Sequence, residues 1–254
     1  MNTKILQDSI EKEKNNLEYR YGGSDRVILD ELFPELNALF QTDFHYLAEL
    51  DAYSIKGAGE LFLKFIDRFE SEYIRAILMM QLIEDGVKYA EREVLRLYQH
   101  FKSSDEYISK QNQPSSAHIY VKYDNAFRKL KPKKLKDDLV SLIVTPRDAY
   151  YLPLTTQMVA SWQIPELQDV LIAYLDGSDI TSESVGLPAD ADGYYPSLDT
   201  IKRQIKFSAI LGLKYYPCDK VRNLLAECSA DADKDIAQAA KKVIKYWEKR
   251  NSEV

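Results

Sequence analysis

Between residues 206 and 249 the chain reads KFSAILGLKYYPCDKVRNLLAECSADADKDIAQAAKKVIKYWEK. Apolar residues recur there at intervals of three and four in three successive runs, the spacing of amphipathic helices. A short turn at Pro217 and an acidic turn at Asp231-Ala232-Asp233 separate the runs. Each run has only a narrow apolar seam, so no single helix buries its face alone and neighbours must stack side by side. Ile201, Ile205, Ser208, Ala209 and Gly212 form a seam with small residues, which predicts close approach of a neighbouring helix. Val221, Leu224, Leu225 and Cys228 answer it, and Ile236, Ala240, Val243, Ile244 and Trp247 complete the series.

The same pattern extends upstream. Phe62, Phe65, Ile66 and Phe69 share a face, as do Ile74, Ile77, Leu78 and Leu82, then Val87, Ala90, Val94, Leu97 and Phe101. Leu139, Leu142 and Ile143 open a further run; Tyr151, Thr155, Met158, Val159 and Trp162 form one face, and Leu167, Val170, Leu171 and Tyr174 the next. Nearer the start, Ser24 or Asp25 is placed to cap a helix. Pro34 suits the first turn of the helix carrying Leu36, Leu39 and Phe40, and Thr42 or Asp43 the cap of the one that follows. Three stretches, 79–98, 157–175 and 209–228, resemble one another as helix, turn, helix. The expected architecture is an all-α, right-handed α-α superhelix of about five to six helix pairs, a solenoid. Residues 1–23 are expected to form a weakly ordered helix or extension. Residues 24–250 are expected to form one domain, with loop insertions near 103–120 and 176–198.

Composition narrows the class of work. The formal charge of −6 counts against a general nucleic-acid binder on electrostatic grounds, because such proteins present a basic footprint. No run of eighteen apolar residues occurs, so no membrane span is expected, and the opening MNTKILQDSIEKEKNN lacks the apolar core of a signal peptide. Cys218 and Cys228, ten positions apart, are too distant on one helix for a disulfide. Free thiols point to a reducing, cytoplasmic compartment.

Candidate chemistry is sparse. His45, His100 and His118 show no metal-ligand spacing, and no phosphate loop, dinucleotide fingerprint or nucleophile elbow is present. No cofactor, metal or catalytic residue is therefore assigned. His45 beside Asp43 is read as part of a capping network, and Cys218, at a helix start, as structural despite the dipole's pull on its thiol. Asp176, Asp179, Asp190 and Asp192 do not follow the ligand order of a calcium loop. What remains is recognition. The run 122–136 holds seven Lys and Arg against one Asp, with Lys131, Lys133 and Lys134 at its centre. Eighteen tyrosines include the pairs Tyr150-Tyr151, Tyr194-Tyr195 and Tyr215-Tyr216, all near turns or helix ends. Tyrosine offers contact area at low rotamer cost, so these nine residues are the candidate partner contacts.

Residues 211–247 resemble HEAT repeats. The Asp231-Ala232-Asp233 turn, Ile236 and the Ala239-Ala240 pair stand where that family has an aspartate-bearing turn followed by a small-residue helix. Ala237 departs from it, since the family often places there an arginine that bonds a neighbouring repeat's aspartate. The block 32–55 is similar to the N-terminal repeats of small bacterial HEAT-like proteins, immunity proteins of polymorphic toxin systems among them. Leu36, Asn37, Leu39 and Asp43-Phe44-His45 carry that resemblance, while Tyr46-Leu47 replace the usual acidic pair. The resemblance implies a non-catalytic protein–protein interaction module that neutralises a cognate toxin, with a basic toxin as the expected partner. A HEAT-like DNA-binding or repair protein and a scaffold subunit of a larger complex are the alternatives. The sequence leaves the oligomeric state open.

Overall fold

Two helices carry the packing, one in each half of the chain. The computed structural model describes residues 3–15, 23–86, 90–103, 114–187 and 196–252. Among the described residues there are fourteen α-helices, one 3-10 turn and no strand. Sequence pattern alone runs 24–250 together as one domain; in the structure the chain gathers into two compact units, Met1–Leu130 and Lys131–Val254. The boundary has a local cause. Lys131 takes φ 48°, and the proline after it disfavours a continuing α-helix, so the preceding helix ends in a left-handed residue as many do.

The first unit contains α1 (Thr3–Asn15), α2 (Gly23–Phe40), α3 (Leu47–Ala52), α4 (Gly59–Ile66), α5 (Glu72–Asp85), α6 (Ala90–Ser103) and α7 (Pro114–Leu130). Helix α5 is its centre and packs against α3, α4, α6 and α7. Ile74, Ala76, Ile77, Leu78, Met79, Leu82 and Ile83 are all buried, along with Glu72 and Gln81. A helix that is apolar nearly all round has to lie inside. The Ser71 hydroxyl caps its start by accepting from Ile74 N at 3.4 Å. Gly86, at φ 70°, ends it in a conformation that costs a residue with a Cβ. Tyr98 and Phe101 of α6 interlock with Tyr120, Tyr123 and Phe127 of α7, with several ring centroids between 4.9 and 5.8 Å apart. Burial, with the charge of Glu72 nearby, holds the Tyr123 phenol well above its ordinary range.

Short helices leave many end groups without intrahelical partners, and in this unit side chains from elsewhere take them. Asp25 accepts from Glu70 N at 2.7 Å and Ser71 N at 3.0 Å, at the start of α5. Glu13 accepts from Leu47 N at 2.7 Å and Ala48 N at 2.9 Å, at the start of α3. Gln81 donates to Leu50 O and Tyr53 O and accepts from Ile55 N, closing the end of α3. Asp85 accepts from Gly57 N and Gly59 N at the start of α4. Asn37 clasps Phe44 through both its N and its O, and accepts from the Thr42 hydroxyl at 2.7 Å.

These bonds correct the expected caps. Helix α2 begins at Gly23, so Asp25 lies in its first turn with its carboxylate turned to α5, and Pro34 is interior rather than first-turn. Pro34 is on an exposed side of α2, where the carbonyl it leaves without a donor can face water. Neither Thr42 nor Asp43 caps α3; Glu49 does so by reaching back to His45 N at 2.7 Å and Tyr46 N at 2.8 Å. Within the stretch expected to be weakly ordered, α1 is a helix anchored by buried Leu6 and Glu13.

The second unit contains a 3-10 turn (Lys133–Leu135), α8 (Lys136–Ile143), α9 (Pro146–Tyr151), α10 (Pro153–Ala160), α11 (Pro165–Asp176), α12 (Leu198–Leu213), α13 (Asp219–Cys228) and α14 (Lys234–Ser252). Prolines open α9, α10 and α11, where a missing N–H costs nothing. Helix α12 is the centre, flanked by α10 and α14 and backed by α11, with α9 also against it. Helix α13 packs on α14 and meets α11 through a Gln168–Cys218 contact at 3.6 Å and a Lys220–Asp169 ion pair. Among helices adjacent in sequence from α10 on, the pairs in extensive contact are thus α11 with α12 and α13 with α14. They close across the long 177–197 connection and the acidic turn, not across the short turns from which the sequence pairs are drawn.

The small-residue seam is where expected: Ile201, Ile205, Ser208, Ala209 and Gly212 are all buried. A Cβ on Gly212 would lie 3.0 Å from Leu171 Cδ1 and 3.3 Å from the Ala160 Cβ, so three helices meet at that hydrogen. Beyond it, the end of α12 is tied down from three sides. Trp247 Nε1 donates to Lys214 O at 2.7 Å, Gln163 Nε2 to Tyr215 O at 3.0 Å, and the Tyr216 hydroxyl to Ile164 O at 3.0 Å.

Two stability outcomes follow from this packing. Gly212→Leu overfills the three-helix junction and is expected to cost about 2–3 kcal/mol. Chemical denaturation followed by tryptophan fluorescence reads it directly, because Trp162 and Trp247 both belong to this unit; an unchanged midpoint would refute the close approach. Asp25→Ala strips two backbone donors of their acceptor and is expected to cost about 1–2 kcal/mol, with Asp25→Asn costing less. Faster amide exchange at Glu70 and Ser71 would locate the loss at the start of α5.

Candidate protein-recognition groove

Helices α10, α12 and α14 lie side by side, and their outward stripes line a groove of about 680 Å³. From α10 come Pro153, Leu154 and Gln157; from α12 come Arg203, Gln204, Phe207, Ser208 and Leu211; from α14 come Asp235, Gln238, Ala239 and Lys242. The positions follow helix periodicity, with Arg203, Phe207 and Leu211 four apart and Asp235, Gln238 and Lys242 three and four apart. Phe207 and Leu211 are half-buried and form the floor. Gln157, Gln204 and Gln238 supply carboxamides that both donate and accept. The exposed part of the lining comprises carboxamides, opposed charges and an apolar floor.

Arg203 closes one end and is committed to the fold. It bonds Asp233 and Asp235, while Lys206 bonds Asp231 at 2.6 Å. Those aspartates shape the turn into α14: Asp231 accepts from Asp233 N at 2.9 Å, and Asp233 accepts from Asp235 N at 2.8 Å and Ile236 N at 3.2 Å. Asp233 is therefore both N-cap and ion-pair partner. The Arg203 guanidinium first, then the backbone N–H groups, hold its carboxyl down to about 2. The Lys206 ammonium likewise lowers Asp231. An arginine–aspartate tie between helices does exist here, but it comes from Arg203, and Ala237 is simply buried. At the other end of the groove Lys242 is exposed and joins none of the ion pairs found among the described residues.

The predicted contact residues fall in several places. Tyr150 and Tyr151 of α9 are half-buried with their rings 4.8 Å apart, and Tyr150 O accepts from Gln204 Nε2 at 3.4 Å, which brings this pair to the groove's edge. Tyr215 is half-buried beside Lys214. Tyr216 is buried; its hydroxyl serves Ile164, and burial pushes its phenol up to about 12, so its role is packing within the unit. Tyr194 and Tyr195 lie outside the described residues. Lys131, Lys133 and Lys134 are exposed around the 3-10 turn and do not line the groove. His45 is exposed, 3.0 Å from Asp43, within the Glu49 capping network. Cys218 and Cys228 are free thiols, the first exposed and the second buried.

Phe207, Leu211, the three glutamines and Lys242 are the groove residues that sequence reading passes over. Their signal was present as a half-polar stripe beside each apolar seam. Nothing in one dimension shows that three such stripes face each other. The first unit has a smaller groove of about 380 Å³ near Tyr53, Met80 and Val121, bordered by the Asp51–Lys122 and Glu84–Lys129 ion pairs. Among the described residues no group of three His, Cys, Asp or Glu is arranged to hold a metal ion, and no helix is long and apolar enough to cross a membrane. Comparison with known proteins finds no matching family model, curated protein or solved structure.

The aspartate turn makes a pH signature. Asp233 has its pKa depressed from 3.8 to about 2 in the folded chain, so the stability it contributes is complete above pH 3.8 and disappears as pH falls through about 2. Asp233→Asn is therefore expected to lower the melting temperature at neutral pH. The gap from the parent should narrow steadily below pH 3.8 and close near pH 2. A gap independent of pH would mean that the ion pair contributes nothing.

Proposed function

We propose that the chain is a non-catalytic protein-recognition module that docks a partner on the α10–α12–α14 face. The observation that carries this reading is the groove itself. Phe207 and Leu211 remain half-exposed at its floor, ringed by three glutamine amides. A central apolar anchor site with a polar rim is the usual anatomy of a protein interface. The contacts of α12 with both α10 and α14, of α11 with α12 and of α13 with α14 support a HEAT-like stacking of helix pairs. Under that architecture the resemblance of residues 32–55 to immunity proteins gives the reading its specific form, the binding and neutralising of a cognate toxin. A DNA-binding role fits less well. Of the two cations lining the groove, Arg203 is engaged by aspartates, and a phosphate backbone has no use for the apolar floor.

The test is co-precipitation from the native host with the tagged full chain and with Phe207→Asp. The parent is expected to retain a stoichiometric protein partner, and Phe207→Asp to lose it while keeping parental helicity by circular dichroism. A partner retained equally by both proteins would sink the assignment of this face.

A further inference from the structure

Charge is distributed unevenly along the chain, and the groove inherits the consequence. Over residues 1–130 there are 17 Lys and Arg against 22 Asp and Glu; over 131–254 there are 17 against 18. The second unit is thus near balance, but its charges are sorted by element. Between 165 and 200 eight acids stand with no Lys or Arg, whereas α14 carries Lys234, Lys241, Lys242, Lys245, Lys249 and Arg250 against Asp235 and Glu248. Asp235 is already held by Arg203. At seven-residue spacing Asp235, Lys242 and Lys249 fall on one stripe of α14, with Gln238 and Lys245 beside it. The wall that begins at the groove therefore continues as exposed ammonium groups.

Building on the recognition role assigned to this face, we infer that the groove takes an acidic peptide segment of a protein partner. That segment sets one large apolar side chain on Phe207 and Leu211 and carboxylates against Lys242 and Lys245. The glutamines hold its backbone, since a carboxamide pairs with a peptide N–H and C=O together. Charge complementarity on this face runs opposite to what the chain's net charge of −6 implies. Local sorting decides it, because exposed charges act over about 8–10 Å in physiological salt and the α14 wall of the groove carries Lys242, with Lys245 next along the same face. A toxin that is basic overall would meet this groove through an acidic segment.

The experiment pans a random-peptide phage library against the immobilised full chain and measures synthetic hits by fluorescence polarisation. Enriched peptides are expected to carry two or more Asp or Glu around an aromatic or aliphatic residue. Their affinity should fall about tenfold in Lys242→Glu, as expected for loss of a contact plus introduced repulsion, and should weaken with added salt. Lys242 is exposed, so this variant keeps the fold, which tryptophan fluorescence verifies. Enrichment of neutral or basic peptides, acidic hits that bind Lys242→Glu as well as the parent, or no enrichment over an unrelated protein would each overturn the inference. So would tight binding of a labelled DNA duplex that Lys242→Glu abolishes, which would assign the cations to phosphate. The two readings separate on the host partner. Loss with Phe207→Asp but retention with Lys242→Glu would leave the recognition face standing without its acidic ligand. Retention in both would remove the face itself.

Discussion

The structure rests on the satisfaction of helix ends by side chains from distant positions. Helices of six to eight residues, such as α3, α4 and α9, have nearly as many end groups as internal bonds. Left to water they would fray, because isolated helices of this length are marginal. Asp25, Glu13, Gln81 and Asp85 each reach a loop 26 to 46 residues away and occupy the donors or acceptors there. The second unit repeats the device at the opposite polarity, with Trp247, Gln163 and Tyr216 donating to carbonyls near the turns at 164 and 214–215. Asp25, Glu13, Gln81, Asp85 and Trp247 reach from one helix to the end of another, while Gln163 and Tyr216 join one turn to the next, so helix ends and tertiary packing are held by the same bonds.

This arrangement explains why polar residues sit so deep. Asp25 and Glu13 are as inaccessible as core leucines, a placement that burial alone would forbid. Burial does push the Asp25 carboxyl above the usual range, against the pull of its two backbone donors. Two directed bonds per carboxylate offset that cost and fix where each loop crosses. Apolar seams are permissive about sliding along a helix axis; a carboxylate that must meet two particular N–H groups is not. Register is thereby set by polar contacts, and the seams supply the bulk of the driving force.

That division also accounts for what could be read in one dimension. All-helical architecture and most apolar faces were legible because 3.6-residue periodicity is local: the seams at Ile74 to Leu82 and Ile201 to Gly212 are buried as the spacing predicts, whereas Leu39, grouped with Leu36, is exposed. The caps were misread because nearest-neighbour rules assign Asp25 to its own helix, while its partners are 45 and 46 positions on. Helix pairing was misread for a related reason. The short turn at Pro217 makes 209–228 look like a hairpin, yet α12 packs most closely on α11 and α13 on α14. Tyrosine content identified Tyr216 as a contact, but the same amphipathic ring that suits an interface suits a turn with a free carbonyl, and Ile164 claims it. The groove was illegible because it is a relation among three helices, not a property of any one.

Folding and the proposed recognition face meet at Arg203. Its guanidinium borders the groove, yet two aspartates of the turn into α14 absorb its charge. The same turn sets where α14 begins and hence where Gln238 and Lys242 project. Loosening it would act in two opposed ways: Arg203 would be released toward the groove, adding positive charge, while the wall carrying Lys242 would lose its fixed position. Affinity depends on preorganised geometry more than on charge count, so the second effect outweighs the first. The aspartates that subtract from the groove's charge are therefore part of what makes it a groove, and Lys242, which lines it, joins none of the ion pairs found among the described residues.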